Sequence, residues 1–188
     1  MKRLLSAFAI ATILSGPAMA QEEDGSGDAA QPTCEVSANW RVILTELGDV
    51  PGMMMDVNKR DTSGQPDCAT KNVKADFTVG GPDQVLWFTA LSQDYLVMAR
   101  STGPVGSVVI QNLNDKTIIL DVVSDDSQAD SWGVTYWEHK EAGTAENCPQ
   151  FAEYKDQGFG AVMAHEMRYD FATRTSLVSG KVNCEPAQ

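Results

Sequence analysis

From Val85 onward the chain alternates short apolar runs with turn-forming residues. Val85 to Ala90 (VLWFTA), Tyr95 to Arg100 (YLVMAR), Ser107 to Asn112 (SVVIQN) and Thr117 to Val123 (TIILDVV) are rich in β-branched and aromatic residues. Ser92-Gln93-Asp94, Ser101 to Gly106 and Asn114-Asp115-Lys116 separate them. Such spacing predicts an antiparallel meander. Val134 to Glu138 predicts a further strand beyond the polar loop Ser124 to Ser131. Met163, His165, Met167, Tyr169 and Phe171 alternate with Ala164, Glu166, Arg168 and Asp170, a period of two that predicts a long strand with one face inward. Thr175 to Cys184 is expected to pair back onto it. Ala145 to Gln157 is the one predicted helix, with Cys148-Pro149 at its first turn and Gly158 closing it.

The first third is less periodic. Trp40 to Leu47 fits strand or helix, and strand is favoured; Met53 to Val57 and Val73 to Val79 are weaker strands around the turn-rich Asp61 to Asp67. The expected fold is therefore all-β, mainly an antiparallel meander of eight or nine strands, as a β-sandwich or small barrel with one short helix. Strand spacing also resembles a propeller blade, but no motif recurs at a fixed period, which argues against that architecture.

The N-terminus changes the picture of where the chain works. Lys2 and Arg3 precede the apolar run Leu4 to Leu14, and Ala18-Met19-Ala20 follows. That order predicts a cleaved signal peptide over residues 1–20 and a periplasmic or secreted protein of bacterial type. The apolar run is shorter than the roughly 20 residues of a membrane span, so no membrane insertion is expected. Residues 21–33 (QEEDGSGDAAQPT) lack large apolar side chains and predict an acidic disordered tail. Residues 34–188 are expected to form a single domain.

In an exported chain the four cysteines, Cys34, Cys68, Cys148 and Cys184, predict two disulfides. Three connectivities are open. Cys34–Cys68 with Cys148–Cys184 is favoured, because each pair then staples one end of the domain. No C-x-x-C is present, so neither a redox site nor a zinc knuckle is indicated.

Charge sharpens the partner class. The whole chain carries a formal −12. Loss of Lys2 and Arg3 with the signal peptide would make that −14. Such a chain repels nucleic acid and attracts basic partners. Catalytic chemistry is thinly supplied. The only histidines are His139 and His165, and no nucleophile elbow, Walker or dinucleotide-binding glycine pattern occurs. His165-Glu166 opens like a zincin motif, but Tyr169 stands where the second His belongs. His165 is expected as a satisfied core residue and His139 as exposed. Asp125, Asp126 and Asp130 lie within Asp121 to Asp130 without EF-hand spacing, and read as a solvated acidic loop. No metal, cofactor or catalytic residue is therefore assigned, and a non-enzymatic binding protein is expected.

Two places suggest binding. Arg100, Ser101, Thr102, Gly103, Gly106 and Ser107 form a shaped, hydroxyl-bearing loop between two well-defined strands. It is similar to a loop in the periplasmic inhibitors of invertebrate-type lysozyme, in which an Arg-Ser-x-Gly segment between two strands inserts into the enzyme's cleft. Arg100, Ser101 and Gly103 match that pattern, with Gly106 and Ser107 beyond. The resemblance implies a basic protein partner. Pro104-Val105 replaces smaller residues there, and Val108 stands in place of an aromatic. Trp132 and Trp137 are the second candidate, as a stacking platform for a sugar ring or a peptide. A carbohydrate-binding or envelope structural protein is thus the alternative, and a hydrolase of unrecognised type the third. Oligomeric state is left open.

Overall fold

The computed structural model describes residues 32–60, 68, 74–101, 105–124 and 126–187. The expected signal peptide and nearly all of the expected tail lie outside the described residues; Thr33, placed in the tail, begins the first strand.

The strands fall into three antiparallel sheets, each following chain order. The first holds β1 (Thr33–Val36), β2 (Trp40–Glu46), β3 (Met53–Lys59) and β4 (Phe77–Gly80). In the second are β5 (Leu86–Ser92), β6 (Tyr95–Arg100), β7 (Ser107–Asn112) and β8 (Ile118–Val123). The third holds β9 (Ser127–Ala129), β10 (Gly133–Ala142), β11 (Gly160–Asp170) and β12 (Thr175–Ala187). A single helix, α1 (Phe151–Asp156), connects β10 to β11. The fold is all-β as expected, with three layers. Each sheet has the up-and-down order of a propeller blade, but three is below the usual four to eight of a closed ring.

The second sheet lies in the middle because both of its faces are apolar. Leu86, Leu96, Met98 and Val109 pack with Trp40, Val42, Leu44, Met55, Val57 and Val79 of the first sheet. From the opposite face, Tyr95, Val97, Val108 and Ile110 pack with Val134, Tyr136, Met167, Tyr169 and Phe171 on the third sheet's side. Successive strand residues point to opposite faces, so a strand covered on both sides reads as an unbroken apolar run. Tyr95–Met98 and Val108–Ile110 are such runs, buried throughout. In the third sheet the period of two in β11 does place Met163, Met167 and Tyr169 inward.

The helix is shorter than the expected Ala145 to Gln157. Asn147 Oδ1 accepts the Thr144 N–H at 2.6 Å, a local turn that competes with helix. Pro149 has no N–H to donate to the Ala145 carbonyl, so a helix begun at Ala145 cannot run through it, and regular helix starts at Phe151. Gly158 closes it at φ +84° as expected. Both disulfides have the favoured pairing, Cys34–Cys68 and Cys148–Cys184, with Cα separations of 5.8 and 5.4 Å. The latter lies in a small cluster with Met163, Phe151 and Tyr154, tying α1 to the end of β12.

At one end of the stack the β5–β6 turn joins all three sheets. Asp94 Oδ1 accepts from Asn39 Nδ2 at 3.0 Å and from the buried Trp40 Nε1 at 2.9 Å. The Asp94 carbonyl accepts the Leu113 N–H at 2.8 Å, and Gln93 Nε2 donates to the Ser131 carbonyl at 2.6 Å. Partial burial pushes the Asp94 carboxyl up, but hydrogen bonds from Asn39, Trp40 and Asn114, with the Lys59 charge, outweigh it and hold it below the usual value. A depressed folded pKa contributes stability at neutral pH that is lost as pH falls below about 4. Asp94→Ala should cost about 1–3 kcal/mol at pH 7, because it strands a buried indole N–H. That deficit should shrink in urea titrations repeated below pH 3.5; an equal deficit at both pH values would refute the ionic part of the account.

Candidate functional site

The described arms of the β6–β7 loop border a groove of about 650 Å³ between the first and middle sheets. It follows from strand lengths. β4 spans four residues, whereas β7 and β8 span six each. The face of the middle sheet that meets the first sheet is therefore covered only in part. Ile118 and Val123, on that face of β8, stay 55% and 43% exposed.

Met98, Val109 and Leu86 form the floor, and Thr78, Val79 and Gln84 one wall. Arg100, Ser101, Val105 and Ser107 close one end, and Gln111, Lys116 and Ile118 the other. Ser107 and Gln111 stand four residues apart on β7, so the ends are roughly 13 Å apart.

Each end carries a cation fixed differently. Arg100 Nη1 contacts Asp121 Oδ1 at 2.8 Å and Oδ2 at 2.9 Å. Lys116 lies with its ammonium 4.6 Å from the centre of the Phe77 ring and makes no ion pair among the described residues. Its backbone has φ +63°, and Gln111 Nε2 donates to its carbonyl at 2.8 Å. Asp115 supports this turn by accepting from the Thr117 hydroxyl at 2.6 Å and the Thr117 N–H at 3.0 Å, which hold its carboxyl below the usual range. With Asp83 also at the groove, Arg100 and Lys116 are balanced by Asp83 and Asp121. The net acidity of the chain thus resides elsewhere.

Gly106 sits in close quarters, since a Cβ there would meet the Ser124 carbonyl oxygen at 3.3 Å and that of Arg100 at 3.4 Å. The Ser124 N–H bonds the Gly106 carbonyl at 3.1 Å, anchoring the returning arm. Thr102 and Gly103 lie outside the described residues. The groove thus brings Arg100, Ser101 and Ser107 together, with Gly106 at its border. Sequence reasoning missed Thr78, Gln84 and Lys116; only the turn chemistry of Asn114-Asp115-Lys116 hinted that Lys116 would be held outward.

The two tryptophans do not form one platform. Trp132 is 69% exposed at the β9–β10 turn, while Trp137, five residues on, is half-buried on the strand opposite Glu166. Five strand residues span roughly 16 Å. The histidines correct two expectations. His139 is not exposed: its side chain retains 12% accessibility, with Nε2 3.4 Å from Glu185 Oε2. His165 is not a satisfied core residue: its side chain retains 26% accessibility, and its buried Nε2 makes no hydrogen bond, with Glu141 Oε1 at 4.0 Å. Both belong to the third sheet and neither lines the groove. The acidic residues of the Asp121 to Asp130 loop diverge, Asp121 pairing with Arg100 and Asp130 with Arg168; Asp125 lies outside the described residues. Among the described residues no His/Cys/Asp/Glu cluster could hold a metal ion, and no helix is long and apolar enough to cross a membrane. Comparison with protein-family models, with curated proteins and with solved structures finds no match to this chain.

Proposed function

We propose that this is an exported, non-catalytic binding protein that meets a basic protein partner with the β6–β7 loop and the groove beside it, the loop entering the partner's cleft as the inhibitor resemblance implies. One observation carries the reading: Arg100 and Ser101, two of the three residues that match the inhibitor pattern, stand with Ser107 at the end of a groove with an apolar floor. Two disulfides suit an oxidising compartment. The surplus of acids over the rest of the surface would steer a basic partner, while the charge-balanced groove would make the contact.

The test is binding of the oxidised protein to invertebrate-type, chicken-type and goose-type lysozymes, with cell-wall lysis as the activity readout. Binding should weaken with added salt, because the attraction is between opposite net charges. Arg100→Ala should weaken it by roughly tenfold, as loss of an interface anchor does. The same substitution should move stability by less than about 1 kcal/mol, because the Arg100–Asp121 pair is exposed. Failure to bind any of the three removes the inhibitor-like role.

A further inference from the structure

The β9–β10 turn is built as though to hold one side chain still in solvent. Asp130 Oδ1 accepts the Trp132 N–H at 2.8 Å and the Gly133 N–H at 3.0 Å. The Asp130 N–H bonds the Gly133 carbonyl at 2.9 Å, closing the turn. Arg168 Nη2 donates to both Asp130 oxygens, at 2.8 and 2.9 Å, and its Nη1 to Thr135 Oγ1 at 3.0 Å. The Trp132 carbonyl accepts the Phe171 N–H at 2.9 Å, and the preceding Ser131 carbonyl accepts Gln93 Nε2 at 2.6 Å. Gly133 is required there, since a Cβ would collide with the Tyr169 carbonyl oxygen. The backbone is thus fixed from both sides, yet the indole is 69% exposed, the most exposed large apolar side chain among the described residues.

That much aromatic surface on a fixed turn is available for contact without rearrangement. A pre-ordered aromatic anchor loses little conformational entropy on binding. What surrounds it defines the occupant. A protein hot spot is ringed by contacts that exclude water, whereas the side chains that hydrogen-bond to this turn are the polar Asp130, Gln93 and Arg168. Asp130 and Arg168 cancel each other's charge. An aromatic face held on a polar turn whose two charges cancel suits a sugar ring, which has an apolar face of C–H groups and a rim of hydroxyls. We propose that Trp132 is the stacking platform of a glycan site, taking the apolar face of a hexopyranose ring in an uncharged oligosaccharide. This site lies on the third sheet and is separate from the groove, so it stands or falls independently of the groove reading.

The experiment titrates the oxidised protein with chitohexaose, cellohexaose and maltohexaose, following tryptophan fluorescence and binding heat. At least one probe should bind and shift the emission. Trp132→Ala should weaken that binding by at least about tenfold, the loss expected of an anchor, while Trp132→Tyr retains part of it. Because the indole packs little of the core, the alanine variant should keep its melting temperature within about 2 °C. Groove substitutions such as Arg100→Ala should leave glycan affinity unchanged. Binding of none of the three probes, or equal affinity in wild type and Trp132→Ala, overturns the proposal. So does a displayed-peptide selection whose binders need Trp132 while no oligosaccharide binds, which would assign the platform to a protein partner.

Discussion

Truncating Leu96 to alanine should destabilise the protein by about 2–5 kcal/mol, and Ile110→Ala should do the same. For a domain of this size that lowers the melting temperature by roughly 5–15 °C. Both side chains are fully buried, Leu96 toward the first sheet and Ile110 toward the third. Each truncation removes apolar contact and leaves a cavity that a sheet held on both faces cannot easily collapse. Leu177→Ala is the contrast. That residue is 62% exposed on β12, and its loss should cost no more than about 0.5 kcal/mol. Paired thermal and urea unfolding would check all three. If Ile110→Ala proved as mild as Leu177→Ala, the middle sheet would not be covered on both faces, and the three-layer account would fall.

Removing the Cys148–Cys184 bridge, as the double variant Cys148→Ala/Cys184→Ala, should cost about 2–5 kcal/mol. The bridge closes a sequence separation of 36, and that of Cys34–Cys68 is 34, so loop entropy makes the two nearly equal. Packing separates them. Cys148 and Cys184 are buried with Met163, Phe151 and Tyr154, so their loss also loosens the seat of α1. Hydrogen exchange should therefore speed up in α1 and in the last residues of β12, while β6 and β7 remain protected. Faster exchange spread evenly over the middle sheet would show that this cluster does not act as a local unit.

Much of the fold was legible because its signals are local. β6 and β7 match their expected bounds residue for residue, since each is a run of β-branched and aliphatic residues bounded by turn formers. β1 and β9 were not foreseen. TCEV offers only two alternating apolar positions and SQA none, too few to mark a strand, and they are extended because β2 and β10 each offer a free edge to pair with. The candidate site divides in the same way. Arg100, Ser101 and Ser107 stood out as a polar, glycine-bearing loop between two strong strands, and Trp132 as an aromatic in a polar turn. Thr78, Gln84 and Lys116 had no such marker, because their role depends on how far β4 reaches over another sheet.

By itself the sequence determined the β class, the meander order and a formal charge of −12, and it left the pairing of the four cysteines among three possibilities. These depend on the pleat period, on turn stereochemistry and on composition, all properties of neighbouring residues. Tertiary structure decided that the meander divides into three sheets, that the middle one is buried on both faces, and that a short β4 leaves a groove. It also decided that His139 turns toward Glu185 and that Trp132 stays in solvent. Those outcomes depend on which distant surface covers each face, and a strand's own pattern records that a face is apolar without recording what will meet it.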